Sequence, residues 1–139
     1  MNEMIIQTTA PTLREKLKAV LERSTGNIAG VVASSVVDIE TAEVLAGFTC
    51  REDFDIQSLS MAYSDLARFQ MRAAEGLLGD QRTIDMLLTT DELAIILRPV
   101  DDLMCLHIVV VKRSKGVGLA RKATEAWEGE MTQVILGLK

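Results

Sequence analysis

One histidine and two cysteines are all that 139 residues offer to a zinc site or to a thiol–imidazole nucleophile. Cys50 and Cys105 stand far apart in apolar segments and form no CxxC pair, so no zinc pattern exists. Two small buried thiols in a reducing compartment are expected instead. No apolar run approaches the roughly 18 residues a membrane span needs. The opening "MNEMIIQTTAPT" has neither a basic n-region nor a long apolar h-region, so no signal peptide is expected and the location is expected to be cytoplasmic. Basic charge is also in deficit: 15 Lys and Arg against 20 Asp and Glu leave a net charge of −5. That balance argues against a general nucleic-acid binder and against membrane insertion or adhesion to anionic lipid. Internal repeats and low-complexity linkers are missing, so residues 1–139 are expected to form a single domain. Its core would run from about 12 to 126, with a C-terminal helix continuing to about 138.

What the chain has is apolar residues, 48% of the total, enough for a core without disulfide or metal staples. Residues 12–26, "TLREKLKAVLERSTG", predict a helix: Thr12 and Glu15 fit a capping box, Leu13, Leu17, Val20 and Leu21 make one stripe, and Gly26 is placed to end it. β-Branched residues over 27–37 and the run 43–49 predict a hairpin turned by "DIETA". A long helix is expected within 51–79, with Asp55 as its N-cap and Phe54 and Leu59 as a hydrophobic staple. Two apolar sets lie side by side on it: Leu59, Ala62, Leu66, Phe69, Ala73 and Leu77, and then Met61, Ala67, Met71, Ala74 and Leu78. Their joint arc is wider than one sheet contact requires.

Strands are predicted over 82–90, 92–100 and 103–113, with turns at Asp91 and at Asp101-Asp102. Alternation in the first suits an edge, and the nearly continuous apolar run of the last suits a central position. A final helix covers 118–139, weakened by roughly 1 kcal/mol at Gly129, where a bend is expected. The fold class is therefore α+β, in the order α-β-β-α-β-β-β-α. The connections are too short for parallel crossovers, so the sheet is antiparallel with helices packed on it.

Candidate chemistry is thin. His107 lies in "CLHIVVV", where a buried strand histidine is the expected reading; Cys105, two residues away, shares its face but has no third partner. Glu52, Asp53 and Asp55 lack calcium-loop spacing and complement a helix N-terminus. The stretch "KRSKGVGLARK" imitates a phosphate loop but has no G-x-x-x-x-G-K-[ST], and Arg121 stands where G-x-G-x-x-G needs its third glycine. Its charge says more: Lys112, Arg113, Lys115, Arg121 and Lys122 cluster with no acid among them, a candidate patch for an acidic partner surface. No catalytic, cofactor-binding or metal-binding residue is assigned, and no cofactor is expected.

The element order, together with "LREKLKAVLERSTGNIAGVVASS", "LSMAYSDL", "ELAIILRPVDDLMCLHIVVVK" and "GLARK", resembles the Roadblock/dynein light-chain family from about Leu13 to Ala126. That family includes bacterial and archaeal regulators of small Ras-like GTPases. One departure is the long first hairpin, "VVDIETAEV", where the family often has Asp-Gly. The resemblance implies a five-stranded, profilin-like antiparallel sheet with the central helix on one face and the terminal helices on the other. It implies a homodimer, or a heterodimer with a related Roadblock protein, in which the central helix and the next strand meet their counterparts. Met61, Asp65, Phe69, Arg82, Ile84, Met86 and Leu88 are the expected interface. The function implied is a non-enzymatic regulator or adaptor of a small Ras-like GTPase or a motor-associated partner. Arg82, Arg98 and Arg113 are available as an arginine finger, and none is singled out. The alternatives are a small-molecule or nucleotide-binding module using the 112–122 loop or Cys105 and His107, and a purely structural scaffold dimer.

Overall fold

The computed structural model describes residues 3–6, 15–17, 19–21, 23–24, 28–100 and 104–137. Thr12, Leu13, Gly26 and the Asp101-Asp102 turn lie outside the described residues. Six segments pair into one sheet: β1 (Glu3–Ile6), β2 (Val31–Asp38), β3 (Val44–Thr49), β4 (Met86–Thr89), β5 (Leu93–Pro99) and β6 (Cys105–Lys112). The strand order is β1-β3-β2-β6-β5-β4, and every neighbouring pair is antiparallel. The five expected strands are all present, and the short lead adds a sixth, β1, beside β3.

β6 is central, between β2 and β5, and is buried from Cys105 to Val111 as its unbroken apolar run predicts. β4 is at an edge, but it begins at Met86 rather than at 82. The β2–β3 hairpin needs no Asp-Gly. The Asp38 carboxylate accepts hydrogen bonds from the backbone of Glu40 at 2.9 Å and Thr41 at 3.1 Å, and Ala42 takes the left-handed conformation at φ 60. An aspartate that bonds the backbone two residues on does the turning that glycine would do elsewhere.

Residues 15–17, 19–21 and 23–24 are helical and form α1. α2 (Ile56–Leu77) is capped as expected by Asp55, whose side chain accepts from the backbone of Gln57 and Ser58. α3 (Val117–Ala126) and α4 (Glu128–Leu136) replace the single predicted C-terminal helix. The break falls at Trp127, not at Gly129, where Trp127 is half-buried against the cluster beneath α1 and α4. Its indole is also covered by the Arg23 guanidinium, 5.6 Å from the ring centre.

The sheet has a core on each face. Leu17, Val20 and Leu21 of α1 meet Met131 and Ile135 of α4 over Val36, Ala46 and Cys105. Ala120 of α3 joins Ala94, Ile96, Val109 and Val111 on that same face. On the opposite face, Ile56 and Ala67 of α2 pack with Ile95, Leu97, Leu106, Ile108 and Val110. Central helix on one side and terminal helices on the other is the expected layering. One expectation fails: Cys105 is buried, but Cys50 is exposed, because it follows the end of β3 where the chain leaves the sheet.

Candidate interaction surface

α2 packs on the sheet through Ile56 and a row of small residues, flanked by the half-buried Leu59, Tyr63 and Met71. Ser60, Ser64, Ala67 and Ala74 are buried, while Met61, Leu66, Phe69 and Leu77 face outward. The sequence showed the apolar arc; only the fold shows which half of it is covered. Small side chains let the helix lie close enough for polar bonds to the sheet. The Ser60 and Ser35 hydroxyls share a hydrogen bond of 2.9 Å, and the Ser64 hydroxyl donates to the Ile39 carbonyl at 3.3 Å. Gly47 completes the fit: a Cβ there would lie 3.1 Å from both the Ile56 and Ser35 side chains.

The outward side is strongly apolar for a surface. Phe69 is 68% exposed and Leu77 is 82% exposed, with Met61, Leu66 and Leu78 beside them in sequence and also exposed. Of the residues expected at an interface, Met61 and Phe69 are therefore displayed, and Asp65 is held by an ion pair with Arg68 one turn away. Arg82 is exposed and Ile84 is 60% exposed, both on the irregular segment before β4. Met86 and Leu88 are half-buried against the core under α2. Leu87, between them, is exposed. Among the described residues β4 pairs on one side only, leaving the backbone groups of its other edge unmatched.

The early end of β4 has a local electrostatic correlate. Asp85 receives a bidentate pair of hydrogen bonds from Arg121 of α3, both 2.7 Å, and lies 3.6 Å from Arg98 of β5. The Arg121 hydrogen bonds hold the Asp85 carboxyl below the usual aspartate range, with the charges of Arg121 and Arg98 acting the same way. Arg98 itself is only 8% exposed and donates to Glu128 of α4 at 3.0 Å. A buried guanidinium is tolerable only with such partners. The one sequence signal for it was a lone charge inside the apolar run "ELAIILRPV".

His107, opposite Arg98 in the β5–β6 ladder, is buried and shares a 3.3 Å hydrogen bond with the Ser34 hydroxyl. Burial, reinforced by the Arg98 charge, lowers its pKa to about 4, so the imidazole is neutral at physiological pH. Cys105 shares its sheet face and is equally closed to solvent.

The five basic residues from the end of β6 onward are dispersed. Arg113 donates to the carbonyls of Thr90 at 2.9 Å and Asp91 at 3.2 Å, clamping the β4–β5 turn, while Arg121 holds Asp85. Lys112 and Arg113 border a groove with Arg51, Asp91 and Glu92; Arg121 and Lys122 border another with Asp85 and Glu125. Lys115 is exposed on the short 3-10 turn between β6 and α3. The glycine pair in that connection serves the turn: Gly116 has φ 92, while a side chain at Gly118 would meet nothing.

No helix among the described residues is long and apolar enough to cross a membrane. No protein-family model matches the sequence, and no curated protein does. Solved structures do match. MglB of Myxococcus xanthus superposes with a TM-score of 0.82 at 16% identity, covering 96% of this chain and 97% of its own. An MglB with tetrameric arrangement gives 0.81 at 13% identity and 99% of both chains. A Roadblock/LC7 domain from Streptomyces avermitilis gives 0.64 at 8% identity, over 86% of this chain and 91% of its own. With the antiparallel sheet, the central helix on one face and the terminal helices on the other, these likenesses identify the fold of this chain as that of the Roadblock family.

Proposed function

We propose that this protein is a non-enzymatic regulator or adaptor that works as a dimer and acts on a small Ras-like GTPase by surface contact. The observation that carries the proposal is the apolar outward side of α2: the helix displays Met61, Leu66, Phe69 and Leu77, and the sheet it rests on ends in β4, which pairs on one side only among the described residues. A second copy turned about a twofold axis presents the same two features, edge facing edge and helix facing helix. Two such edges and helices are of the kind that build a stable interface of roughly 1,600 Å² or more. One of the similar structures is described as an MglB in a tetrameric arrangement, a protein of this fold that associates.

The GTPase reading rests on the resemblance of the sequence and on the likeness to MglB. No residue is assigned as an arginine finger: Arg98 and Arg113 are engaged within the chain, and their roles here are structural. Contact would instead hold the partner's loops in place, with Lys112, Lys115 and Lys122 the exposed cations nearest a candidate acidic surface.

Light scattering on the purified chain tests the first part. A monomer at tens of micromolar sinks the dimer. Single-turnover GTP hydrolysis by a Ras-like GTPase encoded beside this protein, with and without it, tests the second. Unchanged turnover together with no detectable complex counts against the regulator. Replacing Lys112 and Lys115 by glutamate should leave self-association intact and weaken the complex; equal binding would make the lysines ordinary solvated residues.

A further inference from the structure

A groove of about 690 Å³ lies between the C-terminal half of α2 and the start of α4, and it includes Arg82 and Ile84 of the expected interface. Its walls come from the C-terminal half of α2 (Met71, Glu75), the irregular segment 80–84, the end of β5 (Arg98, Pro99), Met104 with Cys105, and the first turns of α4. Its volume falls within the range of about 300–1,000 Å³ found for small-molecule sites. Two of its lining residues carry buried polar atoms with no hydrogen-bond partner among the described residues: Arg98 Nε and Thr83 Oγ1. Buried donors are nearly always matched in folded proteins, and each unmatched one costs roughly 1–3 kcal/mol.

The chemistry of an occupant follows from those atoms and from the charges around them. Arg98 Nε is a pure donor, so it needs an acceptor; the Thr83 hydroxyl can donate to the same group. The acceptor is not an anion. The lining holds Arg82 and Arg98 against Glu75, Asp80 and Glu128, and the Arg98 charge is already met by Glu128 and Asp85. Ile39, Met71, Ile84, Pro99 and Met104 supply apolar surface for the rest of the molecule. We propose that this groove binds a small uncharged molecule presenting a carbonyl or amide oxygen to Arg98 Nε and the Thr83 hydroxyl, with its apolar body against Met71, Ile84 and Met104. Both polar atoms are buried. The occupant reaches them by shifting residues 80–84, which have no regular structure and turn at Asp80 with φ 59.

The test follows the Arg98 Nε–H resonance in the isotope-labelled full chain, assigned through bonds from its backbone. N-acetyl-methionine methylamide is the probe, since it carries two uncharged amide oxygens and an apolar side chain. Sodium acetate, sodium phosphate and simple dilution of the protein serve as parallel arms. The probe should move the resonance saturably. Thr83→Val, which keeps the shape of the side chain, should weaken the probe by about 5–10-fold, the worth of one hydrogen bond. Acetate and phosphate should produce no saturable shift. The proposal is overturned if the probe leaves the resonance unmoved, if an anion saturates it more tightly, or if Thr83→Val folds and binds as before. A resonance that moves with protein concentration alone also overturns it, because the groove would then be filled by a second copy.

Discussion

Replacing Phe69 by alanine separates what α2 does for its own chain from what it does for a second one. Full burial of a phenylalanine side chain stabilises by about 1.5–3 kcal/mol. Phe69 is 68% exposed in the isolated chain, so about two thirds of that, roughly 1–2 kcal/mol, is still unrealised. A twofold interface contains the residue twice, which brings the loss on truncation to about 2–4 kcal/mol, or about 30- to 1,000-fold in the dimer dissociation constant. Folding of the single chain should lose no more than about 1 kcal/mol, a shift of only a few degrees in Tm. Sedimentation velocity over a dilution series from nanomolar to tens of micromolar reads the first quantity. Chemical denaturation, at a concentration where the parent is monomeric, reads the second. Met86→Ala is the contrasting variant: its side chain is half-buried in the core under α2, so it should destabilise the monomer and shift association less. A Phe69→Ala chain that dimerises like the parent refutes the reasoning, as does one whose monomer is several kcal/mol less stable.

The buried imidazole gives a pH dependence with a definite sign. His107 titrates at about 4 in the folded chain against an ordinary 6.5, so the unfolded chain binds more protons between those values. Stability is therefore fully present above pH 6.5 and falls by about 3 kcal/mol as pH drops to 4; urea midpoints across that range should show the slope, and His107→Gln should abolish it. Loss from Asp85, whose folded pKa is depressed, comes on lower still, as pH falls below the ordinary aspartate value. Gly47→Ala places a methyl group 3.1 Å from the Ile56 and Ser35 side chains and should cost about 1–3 kcal/mol by differential scanning calorimetry. Ala42→Gly relieves a left-handed alanine at φ 60 and should raise stability by about 0.5–1 kcal/mol, with the hairpin amides unchanged by NMR.

The parts of this fold legible in the sequence are those written in period and length. The unbroken apolar run "CLHIVVV" announced a central strand, and the alternation of Ile84, Met86 and Leu88 with Thr83, Asp85 and Leu87 announced an edge. Asp55 announced its own helix. The parts that were not legible depend on partners distant in the chain. β1 has only four residues and is a strand through its pairing with β3. The segment before Met86 alternates like a strand, yet Asp85 is drawn to Arg121, 36 residues away. Trp127 breaks the last helix where Arg23 of the first one covers it, and no local rule marks that position. For the surface, periodicity gave the apolar arc of α2 but not its orientation, because serine and alanine are weak signals of burial. The basic cluster was visible as charge, while the acids and carbonyls that engage Arg113 and Arg121 lie far away in sequence.

The hydroxyl bond between Ser35 and Ser60 has a consequence for any protein that meets this one. A helix seated on greasy contacts alone can roll by a few degrees at little cost, since such contacts have no direction. Two directional bonds, with Gly47 beneath them, fix the roll angle of α2. Phe69 is then presented on a stiff mount, and a visitor loses little freedom in meeting it because its host has little left to surrender.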